Sequence, residues 1–401
     1  MKLGLRPAIG KNALAFAIVL GLATTMTLTA QAQTFSVIHN FGGSDGANPL
    51  TGFTADAAGN MYGTTENGGA SDAGAVFKLT TSGNETVLYS FTGGPTDGCN
   101  PVGGLLLDKL GNFYGTTGWC GSSGTGTIFK VSRSGTQKVL YSFGKQEGAT
   151  PQSSLVMDAA GNLYGTTTAG GSTGNGTVFE LARPRKQGGS WIEKVLYSFG
   201  SGTDGAVPLA GVTFDAAGNL YGTTSVGGAN GFGTIFQLVR SKSTWIENIL
   251  YNFRDADDGG TPYAGLIIDH AGNLYGGATS GGTGAGGTIF KLAPSKKGWK
   301  YTVLYSISGW SVSGPFRDLM LDASGNLYGT THCDGADSSG TVYKLTHSKG
   351  TWTYTLLYSF TGGADGLYVF SNLVMDKQGN LYGTTNRGGA NSLGVIFKVT
   401  P

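Results

Sequence analysis

The chain has 401 residues, of which 72 are glycine, 12% are charged and 11% are aromatic, and its formal net charge is +2. This composition excludes a disordered tail, and the near-neutral balance argues against a surface built for nucleic acid or anionic membranes. The glycines have no three-residue period, which excludes collagen. They recur beside Tyr, Phe and Val, as expected for many short strands joined by tight turns.

Residues 1–32 have the three parts of a signal peptide. Lys2, Arg6 and Lys11 are a basic n-region, residues 13–28 are apolar, and Ala30-Gln31-Ala32 has small residues at the cleavage positions. The alternative is a lone anchor helix, which the threonine-rich end of the apolar stretch disfavours. After cleavage, no remaining segment is long and apolar enough to span a bilayer. We expect an exported protein in the periplasm, at the cell surface or outside the cell.

Residues 33–401 are predicted to form one repeat domain. The motif Gly-Asn-(Leu/Met/Phe)-Tyr-Gly occurs seven times, at intervals of 50–57 residues. This period fits a propeller blade and is too long for ankyrin or leucine-rich repeats. The asparagines of the motif are Asn60, Asn112, Asn162, Asn219, Asn273, Asn326 and Asn380.

The first unit contains four strand-like segments, at residues 51–56, 60–65, 74–79 and 86–91. Its first two segments are joined by residues 56–60, where Asp can cap a tight turn and Gly or Asn can take positive φ. A glycine inside the second segment is expected to make room for a Tyr or Phe of the next blade. Together the units predict an all-β, seven-bladed β-propeller with four-stranded antiparallel blades.

The two ends of the domain complement each other. Residues 35–41 resemble the fourth segment of a unit, with His39 in place of Tyr, and the last unit ends after its third segment, residues 394–399. We therefore expect the N-terminal strand to pair with the C-terminal one and close the ring. The alternative, an open solenoid, would need capping units instead.

The units resemble a known repeat. Val-Leu-Tyr-Ser-Phe-Thr-Gly-Gly, Asp-Ala-Ala-Gly-Asn-Leu-Tyr-Gly-Thr-Thr and Gly-Gly-Ala-Asn-Gly-x-Gly-Thr-Ile-Phe are similar to the GloVer-type tandem repeat of exported bacterial proteins, over residues 35–401. That resemblance implies a repeat with varied surface anchors and no catalytic residues to carry over. The Gly-Asn-Leu-Tyr hairpins are also distantly similar to those of streptogramin-lyase-like propellers.

Candidate catalytic residues depart from the repeat's own consensus in the loops between second and third strands. They are His332, Asp334, Glu66 and Arg387, a set that could serve general acid–base chemistry or hold a metal. Ordinary loop drift is the alternative explanation. We expect these loops and the loops between blades to lie on one face of the ring.

The cysteines and the acidic inter-blade loops suggest structural roles. Cys99 and Cys120 fall on the same face of the second blade and are a candidate disulfide, which would leave Cys333 free. The inter-blade acids could cap turns or ligate Ca²⁺. They lack an Asp-x-Asp-x-Asp ladder, so we expect no cofactor and no metal. These acids are Asp45, Asp97, Glu147, Asp204, Asp258 and Asp365.

On the opposite face, four consecutive hairpins between third and fourth strands are longer and basic, and each is followed by a tryptophan. They could grip an acidic glycan or phosphate surface, or the tryptophans could cap the rim of the ring. The binding candidates are Trp191, Trp245, Trp299 and Trp352, with Trp119 on the first face.

The sequence therefore favours a monomeric, non-catalytic binding or interaction propeller that presents its loops to a glycan or a protein. The alternative is an enzyme of the lyase or hydrolase type, with its site at the channel mouth near His332. A purely structural surface protein is a third possibility.

Overall fold

The computed structural model describes residues 33–186, 188–200, 202–309 and 313–401. The predicted signal peptide lies outside the described residues. Across those four ranges, the structure contains no helix that is long and apolar enough to cross a membrane.

The described residues form 31 β-strands. In chain order they are β1 (Thr34–Asn40), β2 (Thr54–Ala55), β3 (Met61–Thr65), β4 (Ala75–Leu79), β5 (Glu85–Ser90), β6 (Gly98–Pro101), β7 (Leu106–Leu107), β8 (Phe113–Cys120), β9 (Thr127–Val131), β10 (Gln137–Ser142), β11 (Val156–Met157), β12 (Leu163–Thr167), β13 (Thr177–Ala182), β14 (Ile192–Ser198), β15 (Gly205–Ala206), β16 (Thr213–Phe214), β17 (Leu220–Thr224), β18 (Val226–Gly227), β19 (Thr234–Ser241), β20 (Thr244–Asn252), β21 (Ile267–Ile268), β22 (Leu274–Ala278), β23 (Ala285–Ser295), β24 (Gly298–Ser308), β25 (Met320–Leu321), β26 (Leu327–Thr331), β27 (Thr341–Ser348), β28 (Thr351–Ser359), β29 (Val374–Met375), β30 (Leu381–Thr385) and β31 (Val395–Thr400).

Seven antiparallel sheets confirm the predicted propeller. Blade 1 is β2-β3-β4-β5, blade 2 is β7-β8-β9-β10 with β6 added to β8, and blade 3 is β11-β12-β13-β14. Blade 4 is β16-β17-β19-β20, and blades 5 and 6 are β21-β22-β23-β24 and β25-β26-β27-β28. Blade 7 is β29-β30-β31-β1. The innermost strand of every blade has only two residues, which is shorter than the sequence pattern predicted.

Blade 7 closes the ring, as predicted. Strand β1 pairs antiparallel with β31, from Thr34 opposite Thr400 to Asn40 opposite Val395. The predicted bounds of these strands differ from the observed ones by a single residue. Pairing the two chain ends leaves no unpaired terminal blade at this junction.

A hydrogen-bonded aspartate builds the hairpin between the first two strands of each blade. In blade 4, Oδ1 of Asp215 accepts bonds from the backbone N–H groups of Ala217 and Asn219, both at 2.9 Å. Its Oδ2 accepts bonds from Asn219 Nδ2 at 2.8 Å and from the Tyr221 hydroxyl at 3.1 Å. Gly218 takes the positive φ of 85°, so the glycine of the motif, and not its asparagine, supplies the left-handed residue.

The glycine inside the second strand makes room for a ring of its own blade. Gly222 lies opposite Phe236 in the ladder, and a Cβ on Gly222 would lie 2.5 Å from Cζ of Phe236. The expectation that the next blade supplies this ring was wrong. The reason is that the third-strand phenylalanine leans across its ladder partner, and a β-carbon there would occupy the same space.

The hydrophobic core lies between the blades. Between blades 4 and 5, for example, Ile235 and Phe253 of blade 4 pack with Leu266, Leu274 and Phe290 of blade 5. Most fourth strands contain a β-bulge, as between Ile235 and Phe236 in the pairing of β19 with β20. Seven hydrophobic clusters of buried side chains, one at each junction between neighbouring blades, hold the ring together.

The inter-blade loops and the loops between second and third strands lie together on one face. Isolated bridges join them within a blade, as between Ala47 and Asn67 and between Leu367 and Arg387. We call this the upper face, and the face with the other two hairpin types the lower face.

Candidate functional site

A ring of seven residues surrounds the central channel just before the innermost strands. Six of its members are small, and their backbone carbonyls accept hydrogen bonds from second-strand threonines of the preceding blade. These bonds include Thr223 Oγ1 to the Ala264 carbonyl, 2.9 Å, and Thr384 Oγ1 to the Thr51 carbonyl, also 2.9 Å. We call the seven residues the inner ring: Thr51, Gly103, Ser153, Ala210, Ala264, Arg317 and Ser371.

Blade 6 departs from this pattern because its inner-ring residue is Arg317. The preceding blade has Gly277 where the others have a bond-donating threonine, and a Cβ there would lie 2.7 Å from Cβ of Pro315. Inner-ring residues of several blades, Arg317 among them, line a cavity of about 20 Å³. A cavity of this size holds about one water molecule. A ligand larger than a water molecule therefore does not fit in this cavity.

The Arg317 guanidinium bonds to a backbone carbonyl, and the charges of two carboxylates act on its pKa. Its Nε donates a hydrogen bond to the Phe370 carbonyl at 3.2 Å. Burial lowers the pKa of Arg317, and the charges of Asp318 and Glu66 oppose that shift. Burial raises the pKa of Glu66, and Arg317 acts in the opposite direction. Asp318 is also fixed in place, because its Oδ1 accepts a bond from the Gly265 N–H at 2.7 Å.

Aromatic side chains from blades 5 to 7 form a continuous wall at the upper end of the channel. Tyr263 packs edge-on against Phe316 with ring centroids 4.9 Å apart, and Phe316 packs edge-on against Phe370 at 5.4 Å. The equivalent residues of the other blades are Leu50, Val102, Gln152 and Leu209. We call Tyr263, Phe316, His332, Tyr368 and Phe370 the aromatic wall.

His332 is part of this wall. Its ring lies 4.1 Å from that of Phe370, 4.7 Å from Tyr368 and 4.9 Å from Phe316. Its buried Nδ1 has no hydrogen-bond partner within the described part of the chain. Burial lowers the pKa of His332 to about 4, so the imidazole is neutral at pH 7.

The structure separates the four predicted catalytic residues. Glu66 and His332 face the channel mouth, but Asp334 lies near the outer strands, where burial, followed by the charge of Asp334, raises the pKa of Tyr305. The Arg387 side chain is exposed, and its backbone pairs with Leu367. The cation that acts on Glu66 is Arg317, at the end of the inter-blade loop that enters blade 6.

A family model decides the relationship of the chain to known proteins. The model described as the Gloeobacter/Verrucomicrobia repeat matches residues 18–236 and 214–401. The chain belongs to this repeat family. No curated protein matches it in sequence.

Solved structures with a similar fold include proteins named as enzymes. A putative 6-phosphogluconolactonase from Bacteroides uniformis is 14% identical and has a TM-score of 0.54. The alignment covers 85% of this chain and 98% of the lactonase chain. A polysaccharide lyase, the PL25 ulvan lyase, is 13% identical and has a TM-score of 0.53. The alignment covers 89% of this chain and 94% of the lyase chain. At such low identity the likeness shows the propeller fold alone.

The inter-blade aspartates of this chain accept hydrogen bonds from their own loop and from the preceding fourth strand. Asp97 Oδ2 accepts bonds from the Tyr89 hydroxyl at 2.8 Å and from the Thr92 N–H at 2.9 Å. Asp365 Oδ2 accepts from the Tyr358 hydroxyl at 3.0 Å and from the Thr361 N–H at 2.8 Å. This geometry favours turn capping as their role over Ca²⁺ binding.

One group of potential metal ligands occurs in the described ranges, on the outer side of the junction of blades 7 and 1. His39, Asp45 and Glu85 offer ligand atoms within 4.8 Å of one another. His39 Nε2 lies 2.8 Å from Asp45 Oδ2. The same repeat positions at the junction of blades 1 and 2 hold Tyr89, Asp97 and Gln137, and Gln137 donates to Asp97 at 3.1 Å. The group is therefore one version of a repeated contact between outer strands.

The cysteines of the repeat domain occupy two environments. Cys99 and Cys120 are joined by a disulfide with a Cα–Cα distance of 5.4 Å, which links β6 to the end of β8. Cys333 is free and half-buried, and burial raises the pKa of its thiol. A raised pKa makes a reactive thiolate at Cys333 unfavourable near neutral pH.

Four of the five candidate tryptophans pack between blades. Trp191 lies edge-on to Tyr114, Trp299 to Tyr221 and Trp352 to Tyr275, with ring centroids 6.1–6.4 Å apart. Trp245 joins the cluster that contains Tyr164. These contacts favour rim capping over ligand binding. Trp119 differs, since 47% of its surface is exposed on the upper face.

Sequence reasoning missed the residues that give the channel mouth its character. Arg317 and Asp318 stand where other blades have Gly, Ser, Thr, Ala or Asn, and Tyr263, Phe316 and Phe370 stand where most have aliphatic residues. The same comparison of units that singled out His332 would have found them, had it included the end of each inter-blade loop.

Proposed function

We propose that this protein is an exported glycan-binding propeller that holds an uncharged saccharide at the upper mouth of its channel and catalyses no reaction. The observation that carries the proposal is the aromatic wall of blades 5–7 beside Arg317. Sugar rings present apolar C–H faces that pack on aromatic rings, and their hydroxyls bond to planar polar side chains. The mouth supplies both kinds of group on one side of the ring.

The charge of the mouth supports an uncharged ligand over an acidic one. Arg317 contributes one positive charge, and Glu66 and Asp318 lie close enough to act on its pKa. A uronate or sulfate would face these carboxylates as well as the guanidinium, and would gain little net attraction. A sugar hydroxyl can donate to a carboxylate and accept from the guanidinium.

The surroundings of His332 support binding without catalysis. A general base needs a position within hydrogen-bond reach of its proton and an orienting partner. The His332 ring contacts aromatic rings instead, and its Nδ1 is unbonded among the described residues. The neighbouring lyase and lactonase are named as enzymes, but they contribute only a shared fold to this proposal.

A glycan array of neutral and acidic oligosaccharides, followed by calorimetry on the best ligand, tests the binding. Tyr263→Leu copies the blade-4 residue Leu209 and should weaken binding by about threefold to tenfold, the usual worth of an aromatic contact. Gln152→Leu introduces the same residue in blade 3, on the opposite side of the ring from blade 6, and is the matched control, which should bind as the wild type does. If the wild type binds no glycan on the array, the proposal is wrong.

Turnover separates the binding function from the enzyme alternative. The wild type should leave a panel of polysaccharides and lactones intact over hours of incubation. If a product forms, and if His332→Ala abolishes it without lowering the melting temperature, the enzyme interpretation is correct. Export is tested separately by cell fractionation and N-terminal sequencing, which should find a mature chain that begins after Ala32.

A further inference from the structure

The tryptophans of the lower face occupy one repeated position. In blades 4, 5 and 6 the tryptophan lies two residues before the partner of the last leucine of the third strand. Leu238 pairs with Glu247, for example, and the tryptophan is Trp245. The same offset places Trp191 in blade 3, where Leu181 pairs with Glu193. Each indole covers the second-strand tyrosine of the preceding blade, as Trp299 covers Tyr221.

The junction of blades 7 and 1 lacks this indole. In blade 1, Leu79 pairs with Glu85, so the equivalent position is Gly83. The hairpin there is short, since β4 ends at Leu79 and β5 begins at Glu85. The tyrosine that would be covered is Tyr382 of blade 7, the counterpart of Tyr221.

A groove of about 520 Å³ occupies the place of the missing indole. It is lined by Tyr382 and Gly83, by Ile38 of β1, and by Met61 and Leu79 of blade 1. A Cβ on Gly83 would lie 3.6 Å from Ile38, so the position points toward the groove. The volume falls in the usual range for ligand pockets and exceeds what a single indole needs.

The junction of blades 1 and 2 shows that a missing indole alone does not leave a groove. The equivalent position there is Gly135, because Val131 pairs with Gln137. In that junction Arg133 packs closely over Gly111, and Tyr62 packs on Phe113 with ring centroids 4.2 Å apart. Tyr62 is thus covered by other side chains, whereas Tyr382 lines an open groove.

We propose that the groove between blades 7 and 1 binds the tryptophan side chain of a partner polypeptide. Four copies of the same site within this chain are filled by an indole, which lies in the fourth strand of blades 4, 5 and 6 and directly before the fourth strand of blade 3. The walls keep the apolar surface that an indole covers elsewhere. The groove is lined by two lysines, Lys377 and Lys398, and by two aspartates, Asp56 and Asp376, so its charges balance and favour a peptide of low net charge beside the inserted tryptophan. The proposal is independent of the glycan site on the upper face.

The chain's own sequence supplies the probe. A synthetic octapeptide with the sequence of residues 241–248, which contains Trp245, can carry a fluorinated indole for ¹⁹F NMR titration with the full protein. We expect one bound peptide per chain. In competition with the fluorinated peptide, the same peptide with alanine in place of tryptophan should bind at least about tenfold more weakly than the unlabelled tryptophan peptide, because buried aromatic anchors dominate such contacts. Equal binding of both peptides would overturn the proposal.

A hairpin graft tests the location. Leu79 and Glu85 match Leu238 and Glu247 in register, so residues 80–84 can be replaced by the sequence of residues 239–246 without shifting the ladder. This graft fills the groove with the chain's own indole and should reduce peptide affinity at least about tenfold. The matched control is the same graft with alanine at the tryptophan, which should bind the peptide again. A tryptophan graft that binds as the wild type does would overturn the proposal.

A gain of function keeps the test decisive if the graft misfolds. Trp299→Ala uncovers Tyr221 and should create a second groove, so that two peptides bind per folded chain. A folded Trp299→Ala protein that still binds a single peptide would show that the vacant indole position is not what creates the site. Binding of cellohexaose in the groove of blades 7 and 1, without binding of the peptide, would overturn the proposal in favour of a glycan.

Discussion

Blades 4 and 7 differ in how the chain builds them. Blade 4 comes from one continuous segment, whereas the outer strand of blade 7 arrives from the opposite end of the chain. The pairings are nevertheless alike: Ile249 lies opposite Phe236 in blade 4, and Val37 lies opposite Phe397 in blade 7. In both blades the outer strand then skips one residue at a bulge.

The side-chain contacts of the two outer strands are alike too. Tyr251 of blade 4 donates to Asp258 in the next inter-blade loop at 2.7 Å, and His39 of blade 7 contacts Asp45 at 2.8 Å. Phe35 stacks on Tyr358 of the preceding blade with ring centroids 3.9 Å apart. Covalent continuity is thus what blade 7 lacks, and docking of β1 must replace it.

Removal of β1 should have the largest effect. A chain without residues 34–40 loses the β1–β31 ladder and the packing of Phe35 and Val37 on the core between blades 6 and 7. These two side chains are partly buried, and their burial is worth about 1–3 kcal/mol. We expect a large fall in the melting temperature, measured by calorimetry, together with increased exposure of β31 to hydrogen exchange.

Adding the missing strand in trans is the control. A synthetic peptide of residues 33–41 should restore part of the lost melting temperature in a concentration-dependent way, because it binds only the folded ring. A truncated protein that melts at the wild-type temperature would mean that closure does not contribute to stability.

Replacing the second-strand glycine with alanine should have the next largest effect on stability. Making this change in blade 4 and in blade 7 compares the packing of the two blades directly. In either blade a Cβ on the second-strand glycine, Gly222 or Gly383, would lie 2.5 Å from the facing phenylalanine ring. We expect each alanine variant to lose about 1–3 kcal/mol in chemical denaturation. A markedly smaller loss in Gly383→Ala would mean that blade 7 is the looser of the two.

Gly218→Ala is the control for backbone conformation. Gly218 has a φ of 85°, but nothing lies within 4 Å of its Cβ position. Its loss should be about 1 kcal/mol, the cost of a left-handed alanine without a clash. If Gly218→Ala cost as much as Gly222→Ala, crowding by Phe236 would not explain the second-strand glycines.

The fold was predictable because the repeat states it seven times. Each Asp-x-x-Gly-Asn hairpin marks the start of a blade, and the match between residues 35–41 and the fourth segments identified the closing strand. The ring that packs against each second-strand glycine was not predictable. The sequence does not say whether Phe236 of the same blade or an aromatic ring of the next blade approaches Gly222.

The candidate site was only partly predictable, because it combines departures at two different repeat positions. His332 and Glu66 stood out because they interrupt a loop pattern that repeats within the chain. Arg317 lies instead at the end of an inter-blade loop, and the residue that replaces its expected threonine partner, Gly277, belongs to another blade. Only the ring geometry brings Arg317 and Glu66 from blades 6 and 1 to one channel. Asp334 follows His332 by two residues and still faces the outer strands.

A smaller effect is expected from the inner-ring hydrogen bonds. Thr384 of blade 7 donates to the Thr51 carbonyl across the closure, and Thr223 of blade 4 donates to the Ala264 carbonyl, both at 2.9 Å. Replacement of either threonine with valine removes one buried bond and should cost about 1 kcal/mol in urea denaturation. A much larger loss at Thr384 would show that ring closure depends on the inner ring as well as on β1.

The smallest effect we expect is a pH dependence at the outer strands. Glu247 of blade 4 is half-buried beside Asp204 and Tyr197, and burial, followed by the charge of Asp204, raises its pKa from 4.5 to about 7. At the closure, Glu85 beside Asp45 and His39 shows the same shift, to about 7. The favourable neutral form of each carboxyl is fully present below pH 4.5, and its contribution is lost as the pH rises through about 7.

Glutamine keeps the shape of the neutral acid and cannot ionise, so it tests this dependence in both blades. Blade 2 already has Gln137 at the equivalent position, where it donates to Asp97 at 3.1 Å. We expect Glu247→Gln to melt a few degrees higher than the wild type near pH 8 and at the same temperature near pH 4.5, and Glu85→Gln to do likewise. The control is Gln137→Glu, which should add the same slope to blade 2. If the melting temperatures of the wild type and the glutamine variants stay parallel across this range, the pKa of each outer carboxyl is the same in the folded and the unfolded chain, and burial beside Asp45 or Asp204 does not hold it neutral.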